Sequence, residues 1–201
     1  MSQKIRVAAP SDAGGVIDIY GPYCEESPVS FEVRRPTIDE MEERISQICE
    51  SYPWLVCQNG PDLAGFAYAG PHRERAAYRW AVDIAIYVAA GFHGLRVGTA
   101  LYSCLFEILK IQGYYKAYAG ITIPNPASIG FHKRFGFELI GVFRDVGYKA
   151  GSWHDVSWWE LTLKLPRNQP SEPMSIGSVM HREEFLEAID RGQKILKKGA
   201  L

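Results

Sequence analysis

Apolar residues recur along the chain with two different spacings, and each spacing predicts a different kind of element. From Trp80 to Val88 every second residue is apolar, which is the period of a strand buried on one face. From Gly98 to Gln112 the apolar residues are spaced by three and four, as on one stripe of a helix, and Gly113 follows as a helix end. We therefore predict a strand, a short loop of small residues and a long amphipathic helix.

The same two spacings of apolar residues predict the helices and strands in the rest of the chain. Pro10-Ser11-Asp12 and Pro36-Thr37 are typical helix starts, and the segment Asn59-Gly60-Pro61-Asp62 predicts a hairpin turn. The other predicted elements are a strand at 4–9, helices from 11 to about 21 and from 37 to 50, strands at 54–58, 63–70 and 117–123, a helix from 124 to 135, and strands at 137–148 and 155–163. This order predicts an α/β protein with a mixed sheet.

The composition changes after Leu165. Three prolines punctuate a polar stretch, and the apolar spacing of a last helix then runs from Glu183 to Lys198. We predict one domain over residues 1–165, followed by a Pro-containing linker and a C-terminal helical tail over residues 166–201.

Composition and charge exclude several kinds of partner. The 201 residues carry 22 basic and 23 acidic side chains, so no basic surplus favours nucleic acid. No run of about 18 apolar residues favours a membrane span. The four cysteines lack a CxxC spacing and are expected to be reduced thiols in or near the core. His72 and His93 are expected to lie in exposed loops, and no spacing of ligands predicts a metal site. We expect a cytoplasmic protein.

The predicted strand–loop–helix junction is the candidate site. It runs from Asp83 to Gly98 with the sequence DIAIYVAAGFHGLRVG. The first N–H groups of a helix have no partner within the helix, and they bind phosphate groups readily. The junction therefore predicts a phosphate-binding loop.

The order of elements and this junction resemble the GNAT superfamily of N-acetyltransferases, and three segments resemble its phosphinothricin acetyltransferase group. They are IYGPYCEESPVSFE at 19–32, AYRWAVDIAIYV at 77–88, and the long stretch from Ile123 to Trp159. The resemblance covers residues 4–165 and implies the GNAT acyl-CoA N-acyltransferase fold, an α/β (α+β) fold with a mixed, mostly antiparallel sheet that is flanked by helices. It also implies acetyl-CoA as co-substrate. It implies transfer to the α-amine of a small amino-acid-like acceptor of the phosphinothricin, methionine sulfone or methionine sulfoximine type. It also implies a homodimer. The resemblance does not explain the tail, and we expect the tail helix either to dock on the partner subunit or to cover the acceptor mouth.

The loop departs from the superfamily pattern, which is Arg/Gln-x-x-Gly-x-Gly/Ala. Here it is His93-Gly94-Leu95-Arg96-Val97-Gly98, followed by Thr99, and all seven residues are expected to bind the cofactor. Arg96 replaces a glycine whose missing Cβ lets the backbone approach the pyrophosphate. Its side chain either obstructs that approach or turns outward and pairs with a phosphate.

The resemblance implies further cofactor contacts beyond the loop. Backbone groups of Ile86, Tyr87 and Val88 are expected to pair with the pantetheine as an added strand would. Asn125 and Ser128 are expected to contact it too, unless Asn125 only caps the following helix.

Two residues are candidates for catalysis. Asp83 occupies the position of a glutamate in the related enzymes, and we expect it to remove the amine proton, with a relaying water because its side chain is shorter. A charge on a strand edge is the alternative. His132 is expected to protonate the leaving thiolate or to contact the cofactor, and a structural histidine is the alternative.

Acceptor recognition needs donors for a carboxylate and for a second anionic or polar group. Arg75 and Arg79 are the candidates, with Arg73 and Lys149 as further choices, although each also suits a surface charge. Phe31 and Tyr78 are expected to wall the acceptor pocket. A non-catalytic acyl-CoA-binding paralogue and a protein N-terminal acetyltransferase remain alternatives, whereas the chain has no GxSxG elbow for a hydrolase.

Overall fold

A computed structural model describes residues 3–197 of the chain and shows a seven-stranded sheet with helices on both faces. The strands lie in the order β1-β2-β3-β4-β5-β7-β6. The strands are β1 (Gln3–Val7), β2 (Trp54–Asn59), β3 (Asp62–Pro71), β4 (Ala81–Val88), β5 (Lys116–Ile123), β6 (Glu138–Lys149) and β7 (Ser152–Thr162). The helices are α1 (Ala13–Glu25), α2 (Ile38–Cys49), α3 (Val97–Gln112), α4 (Pro126–Arg134), α5 (Ile176–Val179) and α6 (Glu183–Lys197). The predicted mixed, mostly antiparallel sheet is confirmed.

The sheet divides in its middle, between β4 and β5. This is its one parallel pair in the described chain, and the pairing spans only three positions, from Ala81 opposite Lys116 to Asp83 opposite Tyr118. On the other side, β4 stays paired with β3 as far as Val88. The edge of β4 that faces β5 is therefore free beyond Asp83.

Side chains of β4 alternate between two cores, as a strand requires. Val82 and Ile84 belong to the core that α3 closes on one face, whereas Tyr87 packs at the core under α1 and α2 on the other face. Alternate residues of a strand point to the same face, so the Asp83 side chain lies on the same face as Tyr87, which α1 and α2 cover. Asp83 therefore points away from Val82 and Ile84.

Two helix boundaries differ from the predicted ones. Helix α1 continues through Pro22 to Glu25, because burial of Cys24, which is 0% exposed, outweighs the hydrogen bond that the proline removes. Helix α4 begins at Pro126, because Asn125 occupies the position that caps it.

The C-terminal tail packs on its own chain. Buried side chains of α5 and α6 belong to the same core as α3, and the side-chain oxygen of Gln193 accepts from the Ile5 N–H at 3.1 Å. A Cβ on Gly192 would lie 2.2 Å from the Cys104 sulfur, so α6 and α3 are in close contact. These contacts fix the tail on its own chain, whereas its docking on a partner subunit or over the acceptor mouth stays a prediction. The predicted last helical residue, Lys198, lies outside the described residues, and the domain boundary at residue 165 stays a prediction.

All four cysteines are free thiols, three of them buried, as the sequence predicts. Within residues 3–197, no helix is both long enough and apolar enough to cross a membrane. The same residues contain no cluster of three His, Cys, Asp or Glu side chains that could hold a metal ion.

Candidate active site

The start of α3 is an open anion site. Thr37 caps α2 and Asn125 caps α4, each with a side-chain oxygen that accepts from a backbone N–H. Among residues 3–197, no side chain does this for α3. Its first N–H groups are therefore available to an external anion.

Arg96 precedes α3 in the left-handed conformation, with φ of 62°. Glycine adopts this conformation at little cost, and an arginine adopts it at about 1–2 kcal/mol. The backbone of the loop thus keeps the shape that a glycine would give, and the departure from the family pattern is confined to the side chain.

One groove of about 580 Å³ brings together most of the predicted cofactor-binding residues. Its predicted lining residues are Ile86, Tyr87, Val88, His93, Gly94, Arg96, Val97, Gly98, Thr99, Asn125 and Ser128. Leu95 lies in the same turn with a largely exposed side chain. Arg134, from α4, is a second cation in the wall that the sequence analysis missed. The groove runs from the free start of α3 to the free edge of β4.

A cavity of about 80 Å³ continues the groove into the gap between β4 and β5. Ile86, Tyr87, Asn125 and Ser128 line both spaces, and His132 lines the inner one. A molecule that fills the groove therefore has a path to the point at which the two strands separate.

His132 is almost fully buried in this inner wall, and both of its ring nitrogens are occupied. Nδ1 lies 2.8 Å from the carbonyl oxygen of Ser128, which can only accept, so Nδ1 carries the proton. Nε2 then accepts from the Tyr102 hydroxyl at 3.0 Å. Burial lowers the pKa of His132, which favours this neutral form.

Asp83 forms an ion-pair-like contact with a residue that the sequence analysis placed in an exposed loop. His72 Nδ1 lies 2.6 Å from Asp83 Oδ1, and the His72 side chain is only 14% exposed. The expectation of an exposed His72 is therefore wrong, because aromatic side chains enclose the ring. Burial raises the pKa of the Asp83 carboxyl, although the hydrogen bond from His72 opposes this rise.

Rings from three elements hold His72 in place. It stacks on Tyr118 at 4.3 Å between ring centroids, and it meets Tyr78 and Trp158 edge-on at 5.9 and 6.5 Å. The Arg73 guanidinium lies over the Trp158 ring at 5.9 Å. The Arg73 guanidinium, the His72 imidazole and the Asp83 carboxylate therefore lie close together on one face of the sheet, at the point where β4 and β5 separate.

An aromatic pocket of about 190 Å³ lies further along the same face, between α2 and the sheet. Tyr20, Tyr68 and Tyr87 line it, together with Arg44. Arg44 is held by a bidentate contact with Glu32 at 2.6 and 3.2 Å. No motif in the sequence pointed to this pocket, because its walls come from five separate elements.

Phe31 covers the tip of the β6–β7 hairpin. A Cβ on Gly147 would lie 2.1 Å from the Phe31 ring, so the ring rests on the glycine. The loop that carries Phe31 is fixed by Lys149, whose ammonium donates to the carbonyls of Tyr23, Ser27 and Ser30 at 3.2, 2.7 and 2.6 Å. Lys149 is buried, so it serves the loop and is not free for an acceptor.

The predicted acceptor residues are not all in one place. Tyr78 reaches His72, whereas Arg79 pairs with Glu172 in the linker and lies over Trp80. Arg75 is exposed and stands just before the 3-10 turn at 76–78. A strand pattern identifies Asp83, but no local signal in the sequence shows that His72 folds back onto it.

Comparison with known proteins agrees with this geometry. Residues 5–158 match the family model described as acetyltransferase (GNAT) domain. A phosphinothricin N-acetyltransferase from Streptomyces viridochromogenes is 37% identical over 81% of this chain and 89% of its own length. An L-methionine sulfoximine/L-methionine sulfone acetyltransferase from Pseudomonas aeruginosa is 32% identical over 85% of this chain and 100% of its own. The crystal structure of a phosphinothricin acetyltransferase from Sinorhizobium meliloti in complex with AcCoA has a TM-score of 0.80 and 29% identity, and it covers 90% of this chain and 100% of that one.

Proposed function

The chain belongs to the GNAT acetyltransferase family, and we propose that it transfers the acetyl group of acetyl-CoA to the α-amine of a small amino-acid-like acceptor. The acceptor is of the phosphinothricin, methionine sulfone or methionine sulfoximine type, as in the named relatives. One observation carries the proposal. The anion-binding groove opens into the gap between β4 and β5, and the Asp83–His72 pair lies at the base of that gap.

The groove suits acetyl-CoA along its whole length. The free N–H groups at the start of α3 suit the diphosphate, and Arg96 and Arg134 supply positive charge beside them. The free edge of β4 from Ile86 to Val88 can pair with the pantetheine as a neighbouring strand would. Asn125 and Ser128 stand beside that path, although the Asn125 oxygen also caps α4.

The reaction needs a neutral amine and a thioester held against it. We propose that Asp83 drives removal of the proton from the acceptor ammonium, and that positioning in the gap supplies much of the remaining rate. The proposed role of His132 in protonating the thiolate is limited by its bonds. In the neutral form its one proton is held by the Ser128 carbonyl, so a direct transfer requires that contact to break.

The acceptor site combines aromatic walls with cations. We propose that Arg73 binds the acceptor carboxylate or its second anionic group, because its charge lies beside Asp83 and Trp158. Phe31 and Tyr78 form the walls, and Arg75 at the rim is a further donor. Arg79 is a weaker choice, since it pairs with Glu172.

The test is an acceptor screen that follows thiol release from acetyl-CoA. The panel contains phosphinothricin, methionine sulfone, methionine sulfoximine, ordinary amino acids, polyamines and a peptide with a free N-terminus. Rapid release with one of the first three supports the proposal. Binding of acetyl-CoA without release identifies a non-catalytic binder, and a preference for the peptide identifies a protein N-terminal acetyltransferase.

We also propose a homodimer, formed through the outer strand β6. Large apolar side chains on β6 and the neighbouring β7 are 49–61% exposed, namely Leu139, Ile140, Phe143, Val146, Tyr148 and Trp153. A second copy is the proposed occupant, since the edge of β6 is unpaired in the described chain and can meet its own copy across a two-fold axis. Sedimentation should give a dimer for the wild type and a monomer for Phe143→Lys, while Leu186→Lys, an exposed leucine on α6, should stay dimeric. A wild-type monomer at micromolar concentration contradicts this proposal.

We also propose a cytoplasmic location, which the four free thiols support.

A further inference from the structure

We infer that His72 is the general base of the reaction and that Asp83 acts by orienting it. This rests on the proposed function, and it changes the role that the family resemblance gives to the acidic residue on β4. The residue that touches the acceptor ammonium is then an imidazole, and the carboxylate is a positioning residue behind it.

The hydrogen bond between the two side chains determines which atom is free. An ionised carboxylate only accepts hydrogen bonds, so the 2.6 Å contact with Asp83 Oδ1 places the proton of His72 on Nδ1. Nε2 then has an unshared electron pair. Within residues 3–197, no group forms a hydrogen bond with His72 Nε2. A largely enclosed imidazole with a held ring and a free nitrogen is the arrangement that a general base requires.

Other histidines in the described chain lack this arrangement. In His132 both nitrogens bond to protein groups, Ser128 and Tyr102. His93 bonds to the Val88 carbonyl at 2.9 Å, and His154 to the Lys149 carbonyl at 3.0 Å. None of these three is paired with a carboxylate in this way. The pairing with Asp83 therefore distinguishes His72.

His72 also lies where the reaction must take place. Asp83 and Tyr118 are opposite each other at the last paired position of β4 and β5, and His72 touches both. Stacking on Tyr118 and edge contacts with Tyr78 and Trp158 fix the plane of the ring. Asp83 is shorter than glutamate by one methylene, and the imidazole extends its reach by the width of a ring.

The charges around His72 are few. Asp83 faces it from β4, Arg73 from its own segment, and the hydroxyl-bearing rings of Tyr78 and Tyr118 from the 3-10 turn and from β5. One carboxylate and one guanidinium are therefore the fixed charges that face the ring.

The acetyl transfer needs no reactant other than the acceptor and acetyl-CoA. His72 Nε2 takes one proton from the acceptor ammonium and becomes an imidazolium, which Asp83 stabilises. The amine lone pair attacks the thioester carbon, the C–N bond forms, and the C–S bond breaks as the tetrahedral species collapses. The second amine proton passes to the thiolate, giving the amide and free CoA, and the imidazolium proton returns to solvent.

Steady-state kinetics across pH 5.5–9 test this role, with His72→Phe, Asp83→Asn and the double variant compared with the wild type. His72→Phe keeps the stacked ring and removes both nitrogens. We expect kcat/KM for the acceptor to fall by about 10²–10⁴-fold, with an unchanged Kd for acetyl-CoA and loss of the rising limb of the pH profile. Asp83→Asn should cost a similar factor, because its amide N–H donates to Nδ1 and moves the ring proton to Nε2. The double variant should be no worse, since the two residues act as a unit.

The control is His181→Phe, which removes an exposed imidazole in the tail and should leave the rate and the pH profile unchanged. If the wild type is active and His72→Phe keeps its rate and its rising limb, the inference is wrong and the proposed function stands. Loss of the rate in Asp83→Asn while His72→Phe keeps it would also overturn the inference, because the carboxylate would then be the base. If the wild type acetylates no acceptor, the proposed function itself fails. Nitrogen NMR of the labelled wild type is an independent check: Nδ1 should be protonated and Nε2 bare, with a ring titration that follows the rate.

Discussion

The donor groove and the acceptor face of this molecule are built in different ways. The groove is made mostly of backbone, namely the start of α3, the loop before it and the free edge of β4. The acceptor face is made of side chains, which converge on Asp83 from the segment that follows β3, from β5 and β7, and from the 3-10 turn. Backbone groups depend on the local order of elements, whereas a cluster of side chains depends on how distant elements pack.

This difference has a functional consequence. Arg96 replaces a glycine in the loop and yet keeps the left-handed backbone, so the groove keeps its shape. On the acceptor face, we propose that the shorter side chain at position 83 leaves His72 as the group that reaches the amine. Substitutions on the two sides should therefore have separable effects: one set should change acetyl-CoA binding, and the other should change acceptor binding and turnover.

Gly98→Val should weaken acetyl-CoA binding most. A Cβ at Gly98 would lie 3.2 Å from the Phe131 ring, and the branched side chain would extend into the groove. Overpacking typically costs about 1–3 kcal/mol, which corresponds to a rise in Kd of roughly 5–150-fold. Calorimetry measures this, with Gly130→Val on α4 as the control, since a Cβ there meets nothing within 4 Å. An equal loss in the control would show that valine in a helix, not the groove, is responsible.

Lys149→Met should destabilise the acceptor side. Three backbone carbonyls lose their donor, and an unpaired buried polar group costs about 1–3 kcal/mol. We expect a lower free energy of unfolding in urea and a higher KM for the acceptor, because the loop that carries Phe31 is released. The Kd for acetyl-CoA should not change. Lys4→Met, an exposed lysine on β1, is the matched control, and similar losses in both variants would contradict this role.

Arg96→Ala and Arg96→Gly separate charge from backbone shape on the donor side. Both substitutions remove the cation, so both should raise the Kd for acetyl-CoA by about tenfold, as expected for the loss of one charge-assisted contact. Only the glycine variant avoids the free-energy cost of the left-handed conformation. Its free energy of unfolding should therefore be about 1 kcal/mol higher than that of the alanine variant. Tighter acetyl-CoA binding by Arg96→Gly would instead show that the arginine obstructs the groove.

Asp83→Asn should have the smallest effect on stability, and its sign depends on pH. Burial raises the pKa of Asp83, so the folded state disfavours the ionised form above that pKa. The asparagine variant should therefore melt at a slightly higher temperature near pH 7. This difference in melting temperature should shrink as pH falls through the pKa of Asp83 in the folded protein. It should vanish below the pKa of an aspartate in the unfolded chain, about 3.9. A lower melting temperature near neutral pH would contradict this, and would mean that the bond to His72 outweighs the burial.

Much of the fold was predictable from periodicity, and the rest depended on contacts between distant segments. The alternation in β4 and the apolar stripe of α3 correctly predicted the junction that forms the groove. Pro22 suggested a helix end that burial of Cys24 overrides. Residues 72 and 83 are eleven apart, and their contact arises only because β3 and β4 pair as a hairpin. Arg79 was a reasonable candidate by proximity, but Glu172 in the linker pairs with it.

The most direct test is a crystal structure of the wild type with acetyl-CoA. We expect the diphosphate at the first N–H groups of α3 with Arg96 beside it, the pantetheine along β4 from Val88 to Ile86, and the thioester in the gap next to Asp83 and His72. Acetyl-CoA bound with its thioester elsewhere, or a groove left empty at millimolar concentration, would contradict this expectation.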